Sequence, residues 1–195
     1  MQIKNILFFL LICLINNMVL AQRISNNITK YYEFELCDSP YTISIFKSKK
    51  NKFWGFVDVD LEKKRKNSTY KKIKSRIKIN PMNTQKIFIE LNKAQIDSVT
   101  TKYDDDSLTV LDGDYLAIKL LRNKKIEKIV IENIYPVSSK VIEKTPLRIK
   151  VQNWLTILDN ELKLKNILSN IKSKLKKGTY CYSSGAIYTN CINIK

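Results

Sequence analysis

Not one histidine occurs among the 195 residues. That absence removes Ser-His-Asp and Cys-His nucleophile pairs, His-bearing zinc sites and the ordinary imidazole general base. Most secreted hydrolases, nucleases and metalloproteases go with them. Glycine is nearly as scarce. Gly55, Gly113, Gly178 and Gly185 stand alone, so no glycine-rich phosphate loop can be assembled, and each is expected at a turn or bulge. Arginine contributes only Arg23, Arg65, Arg76, Arg122 and Arg148 to the 35 basic residues. Reading phosphate or guanine leans on the bidentate Arg fork, so specific nucleic-acid recognition is not expected. The cysteines form no CxxC pair and are too scattered for a zinc cage. Nor does any apolar run reach the roughly 20 residues that a membrane-spanning helix needs.

The longest such run, Ile6 to Ile15, follows a single positive charge at Lys4 and is stopped by Asn16 and Asn17. Val19-Leu20-Ala21 then places small residues at the −3 and −1 positions of a cleavage site. A charged start, a short greasy centre and small residues make a secretory signal peptide. Cleavage after Ala21 is expected, with Gln22 as the new N-terminus and no transmembrane anchor in the mature form. Cys13 sits inside the apolar run after the bulky Ile12, which does not suit lipoprotein processing. Residues 22–195 are a normal size for one domain with its own core.

Losing the leader costs one charge, Lys4, from a formal net charge of +17. A field of that size attracts phosphate polymers, anionic headgroups, acidic glycans or acidic proteins. A chain rich in Lys, Asn and Ile also follows from an AT-rich genome, so composition alone does not make the charge functional. An exported chain meets an oxidising compartment. Cys181 and Cys191 flank a short segment containing Ser183-Ser184-Gly185, which reads as a hairpin whose strands can be bridged. Cys37 is then the odd thiol, although pairing with either of the other two stays open.

Alternation marks strands at Tyr31–Cys37, Tyr41–Phe46, Phe53–Leu61 and Tyr70–Ile79. In the last of these Ile73, Ile77 and Ile79 share one face, while Lys72, Lys74, Arg76 and Lys78 share the other. That stripe runs about 20 Å. It is a candidate anionic-partner patch, and equally the solvent face of an edge strand guarded by lysine. Ile87, Ile89 and Leu91 suggest a fifth strand, followed by a short helix capped at Asn92 and reaching about Tyr103. Tyr115–Leu121 and Ile126–Ile134 read as a hairpin. Thr145-Pro146 opens a helix carrying Val151, Trp154, Leu155 and Leu158. A second helical stretch from about Asn160 ends at Gly178, continuous with the first or joined to it near Asp159.

Acidic residues cluster between Asp104 and Asp114. An EF-hand needs Gly at loop position six and Glu at twelve; Thr109 and Tyr115 stand there, so the motif fails. An irregular, weak calcium site built from Asp104, Asp106, Asp112 and Asp114 is the only metal candidate. Paired carboxylates could also serve a glycosidase, with carboxyl groups about 5 to 9.5 Å apart across a cleft.

These residues predict one α+β domain. It has an antiparallel sheet of six to seven strands, a short middle helix, a long C-terminal helix or helix pair, and a C-terminal disulfide-capable hairpin. No catalytic residue and no cofactor is expected. The leading expectation is a secreted or periplasmic, non-enzymatic binding protein, inhibitor-like or immunity-like, whose partner is an acidic protein or an envelope polyanion. The alternatives are a carboxylate-dependent hydrolase of envelope glycans and a non-specific polyanion binder using Lys72, Lys74, Arg76 and Lys78.

Overall fold

A computed structural model describes residues 27–36, 39–65, 67, 69–99, 115–184 and 188–195. The leader, Cys37 and the calcium candidates Asp104, Asp106, Asp112 and Asp114 lie outside the described residues. The strands are β1 (Ile28–Leu36), β2 (Tyr41–Ser48), β3 (Phe53–Lys64), β4 (Tyr70–Ile79), β5 (Tyr115–Arg122), β6 (Lys125–Glu132), β7 (Gly178–Ser184) and β8 (Tyr188–Ile194). The helices are α1 (Pro81–Lys93), α2 (Pro146–Leu162) and α3 (Leu164–Lys174). All eight strands join one antiparallel sheet in the order β6-β5-β1-β2-β3-β7-β8, with β4 on the other edge of β3.

The length of β3 makes this branching possible. Its twelve residues outrun β2, which pairs with Phe53 to Val59. Further along the same edge, Glu62 and Lys63 pair with Cys181 and Tyr180 of β7. The C-terminal hairpin thus extends the sheet. Its strands are bonded through Cys181–Cys191, S–S 2.10 Å, between residues directly opposite in register. Closing a loop with a sequence separation of 10 stabilises by about 2–3 kcal/mol in the chain-entropy account.

Alternation sends Tyr32, Phe34, Ile43, Ile45, Val57 and Val59 to the face that meets the helices, where all are buried. Phe88 of α1 packs against Tyr32 and Phe53, with ring centroids 5.1 and 5.5 Å apart. The other face carries an aromatic row. Phe46 lies 5.0 Å from Tyr31 and stacks on Trp54 at 5.5 Å and 7°. Gly55 lies in unbroken register with Ile45, so it marks no bulge. A Cβ there would come within 3.0 Å of the Ile45 Cγ2 and the Ser44 carbonyl oxygen. Glycine is required by close approach.

The segment after β4 differs from the sequence expectation. Ile87, Ile89 and Leu91 do not form a strand, and no helix begins at Asn92. Asn80 instead caps α1, its side chain accepting from the Met82 N–H at 2.9 Å, with Pro81 in the first turn. Thr84, Ile87, Phe88 and Leu91 are buried while Ile89 is exposed. Spacing by three and four fits burial, and spacing by two does not. After α1, Gln95 takes a left-handed conformation and a 3-10 turn follows at Ile96–Ser98.

The C-terminal helices form a pair. Lys163 breaks them with φ 53°, and Asp159 holds the break: its carbonyl accepts from Lys163 N–H at 2.8 Å and its Oδ1 from Leu164 N–H at 3.2 Å.

Arg148 ties the start of α2 to the preceding loop. It donates to both Glu143 carboxylate oxygens at 2.6 and 2.8 Å, and to the carbonyls of Glu132 and Asn133 at 2.9 and 3.0 Å. These Arg148 hydrogen bonds hold the Glu143 carboxyl below the usual glutamate range, against the opposing effect of burial. A depressed folded value adds stability above the unfolded value of about 4.3 and loses it as pH falls through the folded one. Arg148→Ala is therefore expected to cost about 1.5–3 kcal/mol at neutral pH and to flatten the decline of stability below about pH 4. Urea unfolding from pH 3 to 7 measures both.

Candidate functional site

Four cations do share one face of β4, and their register decides what they meet. Phe56, Asp58, Asp60 and Glu62 of β3 stand opposite Lys78, Arg76, Lys74 and Lys72. Arg76 donates twice to Asp58, at 2.5 and 2.9 Å, and lies 4.6 Å from the centre of the Phe56 ring. Those hydrogen bonds hold the Arg76 guanidinium above its ordinary value. Lys74 reaches Asp60 at 3.4 Å, with both side chains mostly exposed, so that pair contributes little to stability. The stripe is one half of a cross-strand charge ladder. The alternating carboxylates of Val57-Asp58-Val59-Asp60-Leu61-Glu62 were visible in the sequence; only strand pairing shows that they face the cations.

Where this ladder passes the C-terminal hairpin, a cleft of about 320 Å³ opens. Glu35, Thr42, Asp58, Asp60, Glu62 and Lys72 form one wall, and Cys181 and Tyr182 contribute to the other. Sequence reading looked for acids between positions 104 and 114 and missed these. Asp58 is engaged by Arg76 and Asp60 is mostly exposed. Among the described residues no group of three Cys, Asp or Glu side chains could hold a metal ion. A second cleft of about 200 Å³, largely apolar, lies between Tyr41, Leu116, Leu155 and Leu164.

A different basic cluster forms at the far end of β3. Pairing of Lys63 with Tyr180 brings the approach to β7, Lys176 and Lys177, beside the tip of the β3–β4 hairpin. That tip carries Lys63, Lys64, Arg65 and Lys71. Lys63 Nζ donates to the Lys177 carbonyl at 3.2 Å and lies 5.2 Å from the Tyr180 ring centre. Lys63 and Lys71 face each other directly in the ladder, an arrangement that costs energy. None of these six cations forms an ion pair among the described residues. No neutralising residue comes from the C-terminal segment: residues 162–195 hold seven lysines and not one Asp or Glu. The cluster escaped sequence reading because it is made from two segments more than 100 positions apart.

No helix among the described residues is long and apolar enough to cross a membrane. Compared with family models, curated proteins and solved structures, the chain matches none.

Proposed function

We propose that the chain is an exported, non-enzymatic binding protein, and that an acidic partner surface docks on the β3–β4 tip and the base of β7. The observation carrying this reading is the cluster of Lys63, Lys64, Arg65, Lys71, Lys176 and Lys177. Lys63 and Lys71 face each other at a cost, and none of the six is held in an ion pair among the described residues. An anionic surface supplies the missing counter-charge and displaces condensed ions. The stripe of Lys72, Lys74, Arg76 and Lys78 is the poorer candidate, since β3 already sets carboxylates against three of its members. Export is supported by the leader sequence and by the Cys181–Cys191 bond, which suits an oxidising compartment.

Poly-L-glutamate serves as the probe for an acidic protein surface, with fluorescence anisotropy as the readout. The triple variant Lys64→Ala, Lys71→Ala, Lys177→Ala is expected to lose at least about tenfold in affinity. Replacing Lys72, Lys74 and Lys78 by alanine should cost less than about threefold. Wild-type binding should weaken steeply between about 50 and 500 mM salt. Salt-insensitive binding, or equal losses in the two triple variants, would overturn the assignment.

A further inference from the structure

A strand at a sheet edge offers unpaired backbone N–H and C=O groups to any passing extended chain, and charged side chains are the usual guard. The described sheet ends in three such edges. On β4 the guards are Lys71, Lys72, Lys74, Arg76 and Lys78; on β6 they are Lys125, Glu127, Lys128 and Glu132. β8, with the sequence YTNCINI, has none: no charge and no proline. Its register with β7 runs unbroken from Gly178↔Ile194 to Ser184↔Tyr188, so no bulge turns the edge away either. That is unusual in a chain of which 27% is charged.

The backbone direction of this edge follows from the disulfide pair. Cys181 and Cys191 stand opposite each other with Cα atoms 4.1 Å apart. Narrow spacing belongs to the antiparallel pair whose residues do not exchange hydrogen bonds. The N–H and C=O of Cys191 therefore point away from β7. By the two-residue period, so do those of Thr189 and Asn193. The covalent bridge holds this row of donors and acceptors in an extended form before any partner arrives, which reduces the ordering cost of binding.

We propose that β8 is a docking edge filled by an extended segment of a partner protein, acidic where it passes the Ile194 end. Charge complementarity selects this occupant. Ile194 lies opposite Gly178, so the edge ends between Lys195 and the Lys176–Lys177 pair, in a segment with no acidic residue. A second copy added antiparallel would set its uncharged Tyr188 end beside these lysines and supply no counter-charge. The inference rests on the acidic-partner reading and adds the backbone contact that would give it direction. Antiparallel addition, the more stable form, puts the acidic residues at the N-terminal end of the incoming strand.

The test uses a synthetic peptide of four glutamates followed by an alternating Thr–Val segment, with poly-L-glutamate as the purely electrostatic control. Asn193→Pro removes one outward N–H and no backbone bond to β7; Asn193→Ala keeps the N–H, and both variants equally lose the Asn193 Oδ1 that accepts from the Thr179 hydroxyl of β7 at 2.8 Å. Asn193→Pro is expected to weaken the strand peptide about tenfold or more and poly-L-glutamate less than about twofold. Asn193→Ala should leave both within about twofold. Equal peptide binding by the two variants would overturn the edge assignment while leaving the electrostatic reading standing. If poly-L-glutamate fails to bind the wild type, the underlying reading is what falls. Wild-type hydrogen exchange needs no variant: amides of Thr189, Cys191 and Asn193 should be protected on adding the peptide, and unchanged exchange there counts against docking. Concentration-dependent doubling of mass that Asn193→Pro abolishes would give the edge to a second copy and refute the proposal.

Discussion

Trp154→Ala is expected to destabilise the fold by about 3–5 kcal/mol, the range for truncating a large buried aromatic. Trp154 heads the fully buried side chains and has no exposed surface. It lies on α2 within the same core as Ile87, Phe88 and Leu91 of α1 and the inner face of the sheet. Removing it leaves a cavity that neighbours fixed in strands and helices can fill only in part. Its indole N–H also donates to the Ala94 carbonyl at 2.9 Å, the residue that ends α1. Truncation thus costs both packing and the bond that anchors the end of one helix to the middle of another. Trp154→Phe separates the two, keeping most of the apolar volume and losing the donor. Urea unfolding should place it between the wild type and Trp154→Ala, with the slope of free energy against denaturant unchanged in both. A loss below about 1 kcal/mol for Trp154→Ala would mean that α2 is not packed as described.

Trp154 was legible in the sequence, and so was its helix. Thr145-Pro146 marks the start, and Val151, Trp154, Leu155 and Leu158 repeat at helical spacing whatever surrounds them. β1 through β4 were legible for the same local reason, since alternation is written residue by residue. Errors arose where two periods fitted the same letters. Ile87, Ile89 and Leu91 alternate, yet Thr84, Ile87, Phe88 and Leu91 also fall on one helical face. The tie is broken by Asn80-Pro81, a cap followed by a first-turn proline. Gly55 shows a second limit. A glycine in a strand signals close approach or a bulge alike, and only the positions of Ile45 and Ser44 distinguish them.

The candidate site was less legible because it depends on pairing between distant segments. Lys72, Lys74, Arg76 and Lys78 formed the most regular charge pattern in the chain and so drew attention as a patch. Register sets Glu62, Asp60 and Asp58 against three of them, and no property of β4 alone reports that. The unbalanced cations gather at the opposite extreme, where a strand from the C-terminus docks onto Glu62 and Lys63. Lys176 and Lys177 look like ordinary charges at a helix end until β7 carries them beside Lys64 and Lys71. Cysteine spacing proposed the Cys181–Cys191 hairpin. Its joining the sheet, and so its bare outer edge, depended on β3 being longer than β2.

Stability should be nearly flat from about pH 5.5 to 8, since no histidine is present to titrate there, and should then fall sharply above about pH 10. Two adjacent phenols add the largest shares of the fall, and burial raises the Tyr41 phenol as well. Tyr32, on the core face, donates to Asp97 at 2.8 Å, and Tyr31, on the opposite face, donates to Glu33. Burial first, and then hydrogen bonding to a carboxylate that favours the neutral phenol, raise both far above the ordinary tyrosine value. A raised folded value leaves the contribution intact below the unfolded value of about 10 and removes it as pH rises towards the folded one. Above about pH 10 the unfolded chain has released these protons while the folded chain still holds them. Each tyrosine then removes about 1.4 kcal/mol per pH unit, and the pair about 2.7. Denaturant unfolding at half-unit steps from pH 8 to 11.5 reads this slope directly. The Tyr31→Phe, Tyr32→Phe double variant should start lower at pH 8 through its lost hydrogen bonds, yet decline more gently above pH 10. Lysine deprotonation acts on variant and wild type alike, so the difference between the two curves isolates the phenols. Parallel curves above pH 10 would show that these tyrosines ionise as freely in the folded protein as in the unfolded chain.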